Sequence, residues 1–451
     1  MPIPRALRVF IPLIVVAISL AGCQGVRQGP PESVAGPSPS PTPAPSGSFQ
    51  SNINHIVFMM QENRSFDSYF GQLNAFRISQ GLGPDVDGVP ANASNPTFDG
   101  SGTIKAFKMA TQCQENTSPS WNESHRDRNR NNPGTPSAPA TMDGFVYTAA
   151  KYARDNNFFD QEGRRAMGHY DSDQLNYYYF MATAFATSDR WFSPLPARTP
   201  PNRIFSLAAT SAGYTNDPPR TLPIKTIFHL LQNANISWKV YVTDPGITTL
   251  NVFQPFATQH KENIVPLSQY FADLAAGTLP QVALIETGET SGLDEHPGNA
   301  ITPGVKHTAN IINALMTSSA WKDSVFILTW DEGGGLFDHV PPMDTVSPDG
   351  IKPLDLKPTD HQGDFTITGF RVPLIVISPF VKPHFVSHTP MDYSAVLKFI
   401  ETRFGLPNLT ARDAAQPDMT EFFDFSNAAL ATPPTPPTPT SGRPCYFDHL
   451  P

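Results

Sequence analysis

The sequence predicts an α/β protein with a mostly parallel central sheet and helices on both faces. After residue 220, short apolar runs alternate with segments whose apolar residues recur at helical spacing. The clearest of these runs, 324–330, is apolar and partly β-branched, as buried strands are. Strands that alternate with helices indicate a parallel sheet that is covered on both sides.

The first half of the chain supplies one predicted strand and one predicted helix. Residues 55–60 form a short apolar run and predict a strand at the start of the folded region. Residues 72–140 are rich in Gly, Pro, Asn and Ser with little periodicity, which predicts loops over the sheet. Residues 171–186 predict a helix whose aromatic side chains belong to the core.

The second half of the chain contains the alternating elements. Strands are predicted at 238–243, 282–286, 324–330 and 372–378, and helices at 226–233, 267–276 and 305–316. A last helix is predicted to begin after a Thr389 cap, with Pro390 in its first turn. Gly405 is predicted to end it after Phe404.

The N-terminus has the features of an export signal. Arg5 and Arg8 precede an apolar run over 9–20, which is too short to span a bilayer comfortably. The residues Leu-Ala-Gly-Cys23 follow and resemble a bacterial lipobox, in which the cysteine is lipidated. We therefore expect an exported lipoprotein, held at the membrane by acyl chains on Cys23 and facing the periplasm or the cell exterior. An ordinary secretory signal is the alternative.

The remaining cysteines and the net charge narrow the class of protein further. In an exported protein, Cys113 and Cys445 predict one disulfide, with two unpaired thiols as the alternative. The formal net charge is −9 and the pI is about 5.7. Because no basic patch stands out, we expect no nucleic-acid binding.

Carboxylates and an amide follow two of the predicted strands. Glu62 and Asn63 come after the strand at 55–60, and Asp331 and Glu332 come directly after the strand at 324–330. In open α/β sheets, ligands bind at the carboxyl ends of the strands. Adjacent carboxylates need a cation or protons to be stable, and oxygen ligands favour Ca, Mg or Mn, with Zn or Fe possible. Solvated acids in a Gly-rich turn are the alternative.

A hydroxyl and three imidazoles complete the set of candidate functional groups. Thr199 precedes two prolines that suit the start of a helix, where an anion is favoured. Histidines are available at His125, His296 and His339. A metal, a hydroxyl and imidazoles together suit phosphoryl transfer. Taken singly, Thr199 also fits an N-cap, and each histidine an ordinary core or surface group.

Four ordered segments resemble the bacterial phosphoesterase family, which contains non-specific phospholipases C and an acid phosphatase. The segments are Glu-Asn-Arg-Ser-Phe-Asp from 62, Thr-Pro-Pro-Asn-Arg from 199, Asp-Glu-Gly-Gly-Gly-Leu-Phe-Asp-His-Val from 331 and Arg-Val-Pro-Leu-Ile-Val-Ile-Ser-Pro from 371. The resemblance runs from about residue 52 to residue 405 and implies an alkaline-phosphatase-like fold.

The resemblance also implies roles for individual residues. The implied metal ligands are Glu62, Asn63, Thr199, Asp331 and Glu332. Thr199 matches the nucleophile that is transiently phosphorylated, and Asn63 is also able to contact phosphate. The three histidines match positions at the substrate: His125 and His296 face the phosphoryl group, and His339 lies near the site.

The function implied is metal-dependent hydrolysis of phosphoric esters, either phospholipase C-like or acid phosphatase-like. The substrate is then a soluble phosphoester or a phospholipid. Gly333 stands where the family often has His or Asn, and Pro200 stands where it has Asp. These departures leave a catalytically impaired surface binding lipoprotein as the alternative. The predicted organisation is a lipoprotein signal peptide at 1–23, a Pro/Ser-rich linker at 24–50, a catalytic domain at 51–430 and a Pro/Thr-rich tail at 431–451.

Overall fold

The computed structural model describes residues 48–135 and 137–450. The predicted signal peptide with Cys23, and nearly all of the predicted linker, lie outside these residues. The α-helices are α1 (Phe49–Asn52), α2 (Phe66–Phe70), α3 (Leu73–Ser79), α4 (Trp121–Arg128), α5 (Phe145–Asn156), α6 (Asn176–Ala184), α7 (Thr199–Ala208), α8 (Ile227–Asn233), α9 (Phe256–Gln259), α10 (Leu267–Ala276), α11 (Ile301–Met316), α12 (Ser394–Phe404) and α13 (Ala411–Ala415).

The strands fall into one large sheet and three two-stranded ribbons. In chain order they are β1 (His55–Gln61), β2 (Ser94–Pro96), β3 (Thr103–Lys105), β4 (Phe107–Lys108), β5 (Gly168–His169), β6 (Ala186–Ser188), β7 (Trp191–Phe192), β8 (Trp238–Val242), β9 (Ile264–Pro266), β10 (Val282–Glu286), β11 (Ser324–Trp330), β12 (Leu374–Ile377), β13 (Phe385–Ser387) and β14 (Met391–Asp392).

The large sheet has eight strands in the order β13-β6-β12-β11-β1-β10-β8-β9. Strand β12 runs antiparallel to both of its neighbours, whereas the other neighbouring pairs are parallel. The predicted α/β architecture with a mostly parallel sheet is therefore confirmed. The reversal of β12 was not predicted, because an apolar run does not reveal the direction in which its strand is inserted.

The centre of the sheet places the predicted ligands at one edge. Strand β1 pairs residue by residue with β11, so that Gln61 lies opposite Trp330. Its other neighbour, β10, is paired so that Met60 lies opposite Glu286. The carboxyl ends of β1, β10 and β11 consequently end at nearly the same level, and the residues that follow them meet.

An aromatic cluster supports this edge from within the core. Trp330, the last residue of β11, is fully buried. Its ring lies 5.5 Å from that of Tyr69 and 5.2 Å from that of Tyr178, in both cases edge to face. Edge-to-face packing at these distances is favourable beyond the apolar area that it buries. The tyrosines of α6 are core residues, as predicted.

Two predictions of local structure were wrong. The region 72–140 contains the helices α3 and α4 and the ribbon β2–β3 rather than loops alone, and His125 lies on α4. The last helix begins at Ser394 instead of Pro390, because β14 first pairs with β7. The carboxylate of Asp392 then accepts a hydrogen bond from the backbone N–H of Ser394, which stabilises the true start.

The termini of the described chain are fastened to the body. Phe49 stacks on Phe399 with ring centroids 4.6 Å apart, so the packed region begins slightly before residue 51. The predicted disulfide between Cys113 and Cys445 is confirmed, and it fastens the irregular tail from 432 to 450. Beside it, the N–H of Gln112 donates to the carbonyl of Pro444 at 2.9 Å.

Over the described residues, we find no helix with the length and apolar character to cross a membrane.

Candidate active site

Three buried carboxylates lie at the carboxyl edge of the sheet. Glu62, Asp331 and Glu332 are each at most 5% exposed. One oxygen of Asp331 accepts hydrogen bonds from the N–H groups of Asn63 (3.0 Å) and Glu332 (2.8 Å). The other oxygen of Asp331, and Oε1 of Glu332, have no hydrogen-bond donor. Buried oxygens without donors are costly, and a bound cation would satisfy them.

The turn after these carboxylates has two glycines, Gly334 and Gly335, in the left-handed backbone conformation that favours glycine. Gly334 has φ +67°, and a Cβ atom on it would lie 2.4 Å from the carbonyl oxygen of Asn63. Its N–H donates to Glu332 at 2.5 Å, so the tight approach also orients that carboxylate. Gly333 differs, because a Cβ there would have its nearest neighbour, in Phe370, at 3.5 Å. The polar side chain that the family often has there would begin at ordinary van der Waals distance from its neighbours.

Thr199 is the first residue of α7, and its hydroxyl points into the site. Its hydroxyl donates to Oδ1 of Asn63, with Oγ1 3.3 Å from that oxygen. The N-cap of α7 is Arg198, whose side chain makes no capping bond. Thr199 is therefore not an N-cap. It stands where the positive end of the helix dipole favours an anion.

Arg203, one turn along α7, is the counter-charge of the site. Its guanidinium lies 3.0 Å from Glu62, 3.4 Å from Glu286 and 3.4 Å from Asp331. Glu286, the last residue of β10, also accepts hydrogen bonds from Thr248. The sequence analysis gave neither Arg203 nor Glu286 a role. Glu286 could have been found from the sequence, because it is an acid at the last position of the strand predicted at 282–286.

The negative charge of this edge exceeds what Arg203 neutralises. Burial raises the pKa of Glu62 and of Glu332 well above the ordinary range, and the neighbouring Asp331 raises both further. Burial also raises the pKa of Asp331, against the opposing effect of Arg203. Arg203 pairs with three buried acids, one of them Glu286, and Glu332 adds a fourth buried carboxylate. Four carboxylates beside one guanidinium suit a divalent cation, which would favour the ionised forms of Glu62, Asp331 and Glu332.

His296 lies on the loop after β10, where a positive charge on its ring would lower the pKa of Asp331. Its Nδ1 is 2.6 Å from the carbonyl oxygen of Pro297, so that nitrogen donates and Nε2 is left as the nitrogen for other partners. The loop is attached to the site, because the N–H of Glu62 donates to the carbonyl of Asp294 at 2.9 Å.

His125 is placed differently. It is buried on α4, its Nδ1 donates to the carbonyl of Trp121 at 2.7 Å, and its ring lies 4.4 Å from that of Trp121. Burial lowers the pKa of His125 to about 4, so the ring is neutral at pH 7. Within the described residues, its contacts do not join it to the carboxylates. Its role at the phosphoryl group stays a prediction.

His339 belongs to a separate ion-pair network. Its Nδ1 lies 2.7 Å from Asp67 and its Nε2 3.1 Å from Asp87. Asp67, Asp338 and His339 bring possible ligand atoms within 4.8 Å of one another. The buried guanidinium of Arg371 already pairs with both acids, at 3.0 and 2.9 Å. Because these charges are balanced, we favour the edge with Glu62 as the metal site, and the substrate contact of His339 stays a prediction.

The chain is similar in sequence to a known family and to known phospholipases C. The phosphoesterase family model matches residues 53–407. Non-specific phospholipase C5 of Arabidopsis thaliana is 31% identical over 409 residues, which cover 82% of this chain and 73% of the relative. Phospholipase C B of Mycobacterium tuberculosis (strain CDC 1551 / Oshkosh) is 29% identical over 427 residues, which cover 83% and 78%.

Solved structures show only distant similarity. A protein in the alkaline phosphatase superfamily from Vibrio parahaemolyticus aligns over 77% of this chain and 78% of its own, with a TM-score of 0.30 and 13% identity. The phosphonate monoester hydrolase of Agrobacterium radiobacter aligns over 55% and 74%, with a TM-score of 0.33 and 10% identity. The family assignment rests instead on the sequence match, which spans most of the chain. The chain belongs to the phosphoesterase family and is a phosphoester hydrolase.

Proposed function

We propose that this chain hydrolyses phosphoric esters in a metal-dependent reaction that passes through a phosphorylated Thr199. The observation that carries the proposal is the position of the Thr199 hydroxyl. It lies 3.3 Å from the amide oxygen of Asn63 at the start of α7, beside the carboxylate oxygens that lack donors. A hydroxyl between an anion-binding helix start and a cation site is placed to attack phosphorus.

The metal would be held by oxygen ligands from three segments of the chain: Glu62, Asn63, Thr199, Asp331 and Glu332. Such a donor set favours Ca, Mg or Mn, with Zn or Fe also possible. When bound, the ion supplies charge stabilisation for the phosphoryl oxygens and acidifies the nucleophilic hydroxyl. The family match and the carboxylate oxygens without donors support this assignment.

The reaction has two displacement steps. The hydroxyl of Thr199 gives its proton to solvent and its oxygen forms a bond to phosphorus, while the bond to the leaving oxygen breaks and its electron pair goes to that oxygen. Nε2 of His296, when protonated, gives its proton to the leaving oxygen. Water then attacks the phosphothreonine and gives a proton to Nε2 of His296. The bond between Thr199 and phosphorus breaks, its electron pair goes to the Thr199 oxygen, and that oxygen takes a proton from solvent, which returns the hydroxyl. Arg203 keeps Glu62 and Asp331 in place throughout.

Replacement of Thr199 by alanine tests the covalent mechanism. We expect Thr199→Ala to lose at least about a thousandfold in kcat, because the bond-forming oxygen is removed. Wild-type protein quenched during turnover should carry phosphate on Thr199, detectable by mass spectrometry. Asp217→Ala is the control, since the side chain of Asp217 is 66% exposed. Full activity in Thr199→Ala would exclude the covalent step.

The substrate class is either phospholipid or soluble phosphoester. The relatives named phospholipase C support the first, and the family model covers both. Release of phosphocholine from phosphatidylcholine, compared with phosphate release from p-nitrophenyl phosphate, separates the two. A chelator should abolish either activity, and titration with single divalent metals should restore it.

We further propose that the protein is exported and anchored to the membrane through acyl chains on Cys23. The disulfide between Cys113 and Cys445 supports an oxidising compartment. Labelled palmitate should be incorporated into the wild type and not into Cys23→Ala. Equal labelling of the two proteins would refute the anchor.

A further inference from the structure

Glu295 is a buried acid that the proposed reaction does not use. It precedes His296 directly, is fully buried, and adopts the left-handed backbone conformation with φ +69°. A non-glycine residue in this conformation is strained and persists only when its surroundings hold it. The side chain of Glu295 and its carbonyl group provide the contacts that do so.

The carboxylate of Glu295 accepts hydrogen bonds from four side chains. Oε1 accepts from the amide of Gln61 at 3.1 Å and from the hydroxyl of Tyr178. Oε2 accepts from the hydroxyl of Tyr69 at 2.9 Å and from the indole of Trp330 at 3.4 Å. Each oxygen thus faces two donors, and an ionised carboxylate is the group that accepts all four.

Two of these donors stand directly before the metal ligands. Gln61 precedes Glu62 at the end of β1, and Trp330 precedes Asp331 at the end of β11. In addition, the guanidinium of Arg64, which follows Asn63, donates to the carbonyl oxygen of Glu295 at 2.6 and 3.0 Å. The residue before His296 is therefore tied to both strand ends that carry the metal ligands.

We infer that Glu295 is a positioning residue, which fixes the imidazole of His296 relative to Glu62 and Asp331 for proton donation to the leaving oxygen. This inference rests on the proposed function. Its physical basis is that the left-handed backbone at 295 sets the direction of His296, and the four donors hold that backbone in place. A change at 295 alters the direction of the proton donor without removing any metal ligand.

The test is Glu295→Gln in the full-length protein, because the amide has nearly the same volume. One of its two polar atoms becomes a donor and opposes either Gln61 and Tyr178 or Tyr69 and Trp330. The readout compares two phosphate monoesters that differ in their leaving group. Nitrophenolate leaves without a proton, whereas the alkoxide of glycerol 2-phosphate needs one. The same pair of leaving groups as phosphocholine esters serves if diesters are hydrolysed faster.

We expect Glu295→Gln to lower kcat for the alkyl ester by about tenfold or more, and for the nitrophenyl ester by less than about threefold. His296→Ala should show the same dependence on the leaving group. The double variant should be no worse than His296→Ala, because both changes remove one function. The matched control is Glu401→Gln, which changes another buried acid, near the end of α12. It should change kcat for the two esters by the same factor.

Tyr69→Phe provides a second variant that keeps the packed ring and removes only one donor. It should give a smaller loss in the same direction. Equal losses for the two esters in Glu295→Gln and Tyr69→Phe would overturn the inference and leave Glu295 a purely structural residue. If phosphothreonine is nevertheless trapped in the wild type, the proposed function holds and only the role of Glu295 is refuted. Absence of phosphothreonine from the wild type would instead refute the proposed mechanism itself.

Discussion

Arg203 shows how a single residue sets the charge of the site. Its guanidinium lies between Glu62, Glu286 and Asp331, all of them buried. We predict that Arg203→Met lowers the free energy of unfolding of metal-free protein by about 3–5 kcal/mol, because buried acids lose their counter-charge. A divalent ion should then raise the melting temperature more in the variant than in the wild type.

The control for this prediction is Arg198→Met. Arg198 is 44% exposed and pairs with an exposed Asp217 at 3.6 Å, so its loss should cost less than about 1 kcal/mol. Thermal unfolding with and without added metal measures both variants. If Arg203→Met melted like the wild type in the absence of metal, the assigned counter-charge would be wrong.

Two adjacent glycines give a second test at the residue scale. A methyl group on Gly334 would lie 2.4 Å from the carbonyl of Asn63, at a left-handed φ that strains alanine, whereas the same group on Gly333 meets nothing closer than 3.5 Å. We predict that Gly334→Ala lowers kcat/KM by more than about tenfold, because Glu332 and Asn63 are displaced. Gly333→Ala should stay within about threefold. Similar kinetics for the two variants would contradict this account of the turn.

What the sequence reveals about the site differs from residue to residue. The positions of Glu62 and Asp331 could be predicted, since each follows a recognisable strand and parallel strands end at one edge. The position of His339 could not, because its partners Asp67 and Asp87 are distant in sequence and reach it through loops. Glu295 was missed because its left-handed backbone and four donors leave no periodic pattern.

At the scale of the element, the junction of α12 and α13 carries a pH dependence. Burial and the neighbouring carboxylate of Asp413 raise the pKa of Glu401 to about 9, whereas an unfolded chain has the ordinary value of 4.5. The protonated form is thus favoured by folding. The contribution of Glu401 to the free energy of unfolding is fully present below pH 4.5 and is lost as the pH rises through about 9.

We therefore predict that Glu401→Gln unfolds at a higher temperature than the wild type at pH 8 and much closer to it at pH 4.5. The amide imitates the protonated acid toward Asp413 and still accepts from Asn408. The gain should grow from pH 4.5 to pH 8 and reach at most about 5 kcal/mol, since the pH rises 3.5 units above the unfolded pKa of 4.5 and each unit corresponds to about 1.4 kcal/mol. Glu262→Gln, at an exposed position, should show no such pH dependence. A difference that does not grow with pH would refute the assignment.

Helices and strands differ in how far the local sequence determines their bounds. The strands β10 and β11 and the helix α10 have the bounds that their apolar patterns predict. The strands β6, β9 and β13 have three residues each, too few to show a period, and were not predicted. The start of α12 was misplaced because its capping residues were taken from a local pattern, while the pairing of β14 with β7 depends on residues about 200 positions away.

Across the whole molecule, one disulfide joins the tail to the segment that borders the site. The N–H of Gly298 donates to the carbonyl of Gln114, and that of Ile301 to the carbonyl of Gln112, so residues on either side of Cys113 pair with the loop that carries His296. The bond between Cys113 and Cys445 spans 332 residues of sequence. It therefore couples the last residues of the chain to the proton donor of the proposed reaction.

We predict that Cys113→Ser combined with Cys445→Ser lowers the free energy of unfolding by about 2–5 kcal/mol, because the unfolded chain regains the freedom that a long closed loop removes. Chymotrypsin should cleave the tail after Tyr446 or Phe447 faster in this variant. Thr440→Ala, which keeps the disulfide and the backbone bond to Asn176, is the control and should be cleaved at the wild-type rate. Activity should fall less than stability, since Arg64 and Asp294 still hold the His296 loop. Unchanged melting and cleavage in the double serine variant would show that the hydrogen bonds beside Cys113 fasten the tail without the covalent bond.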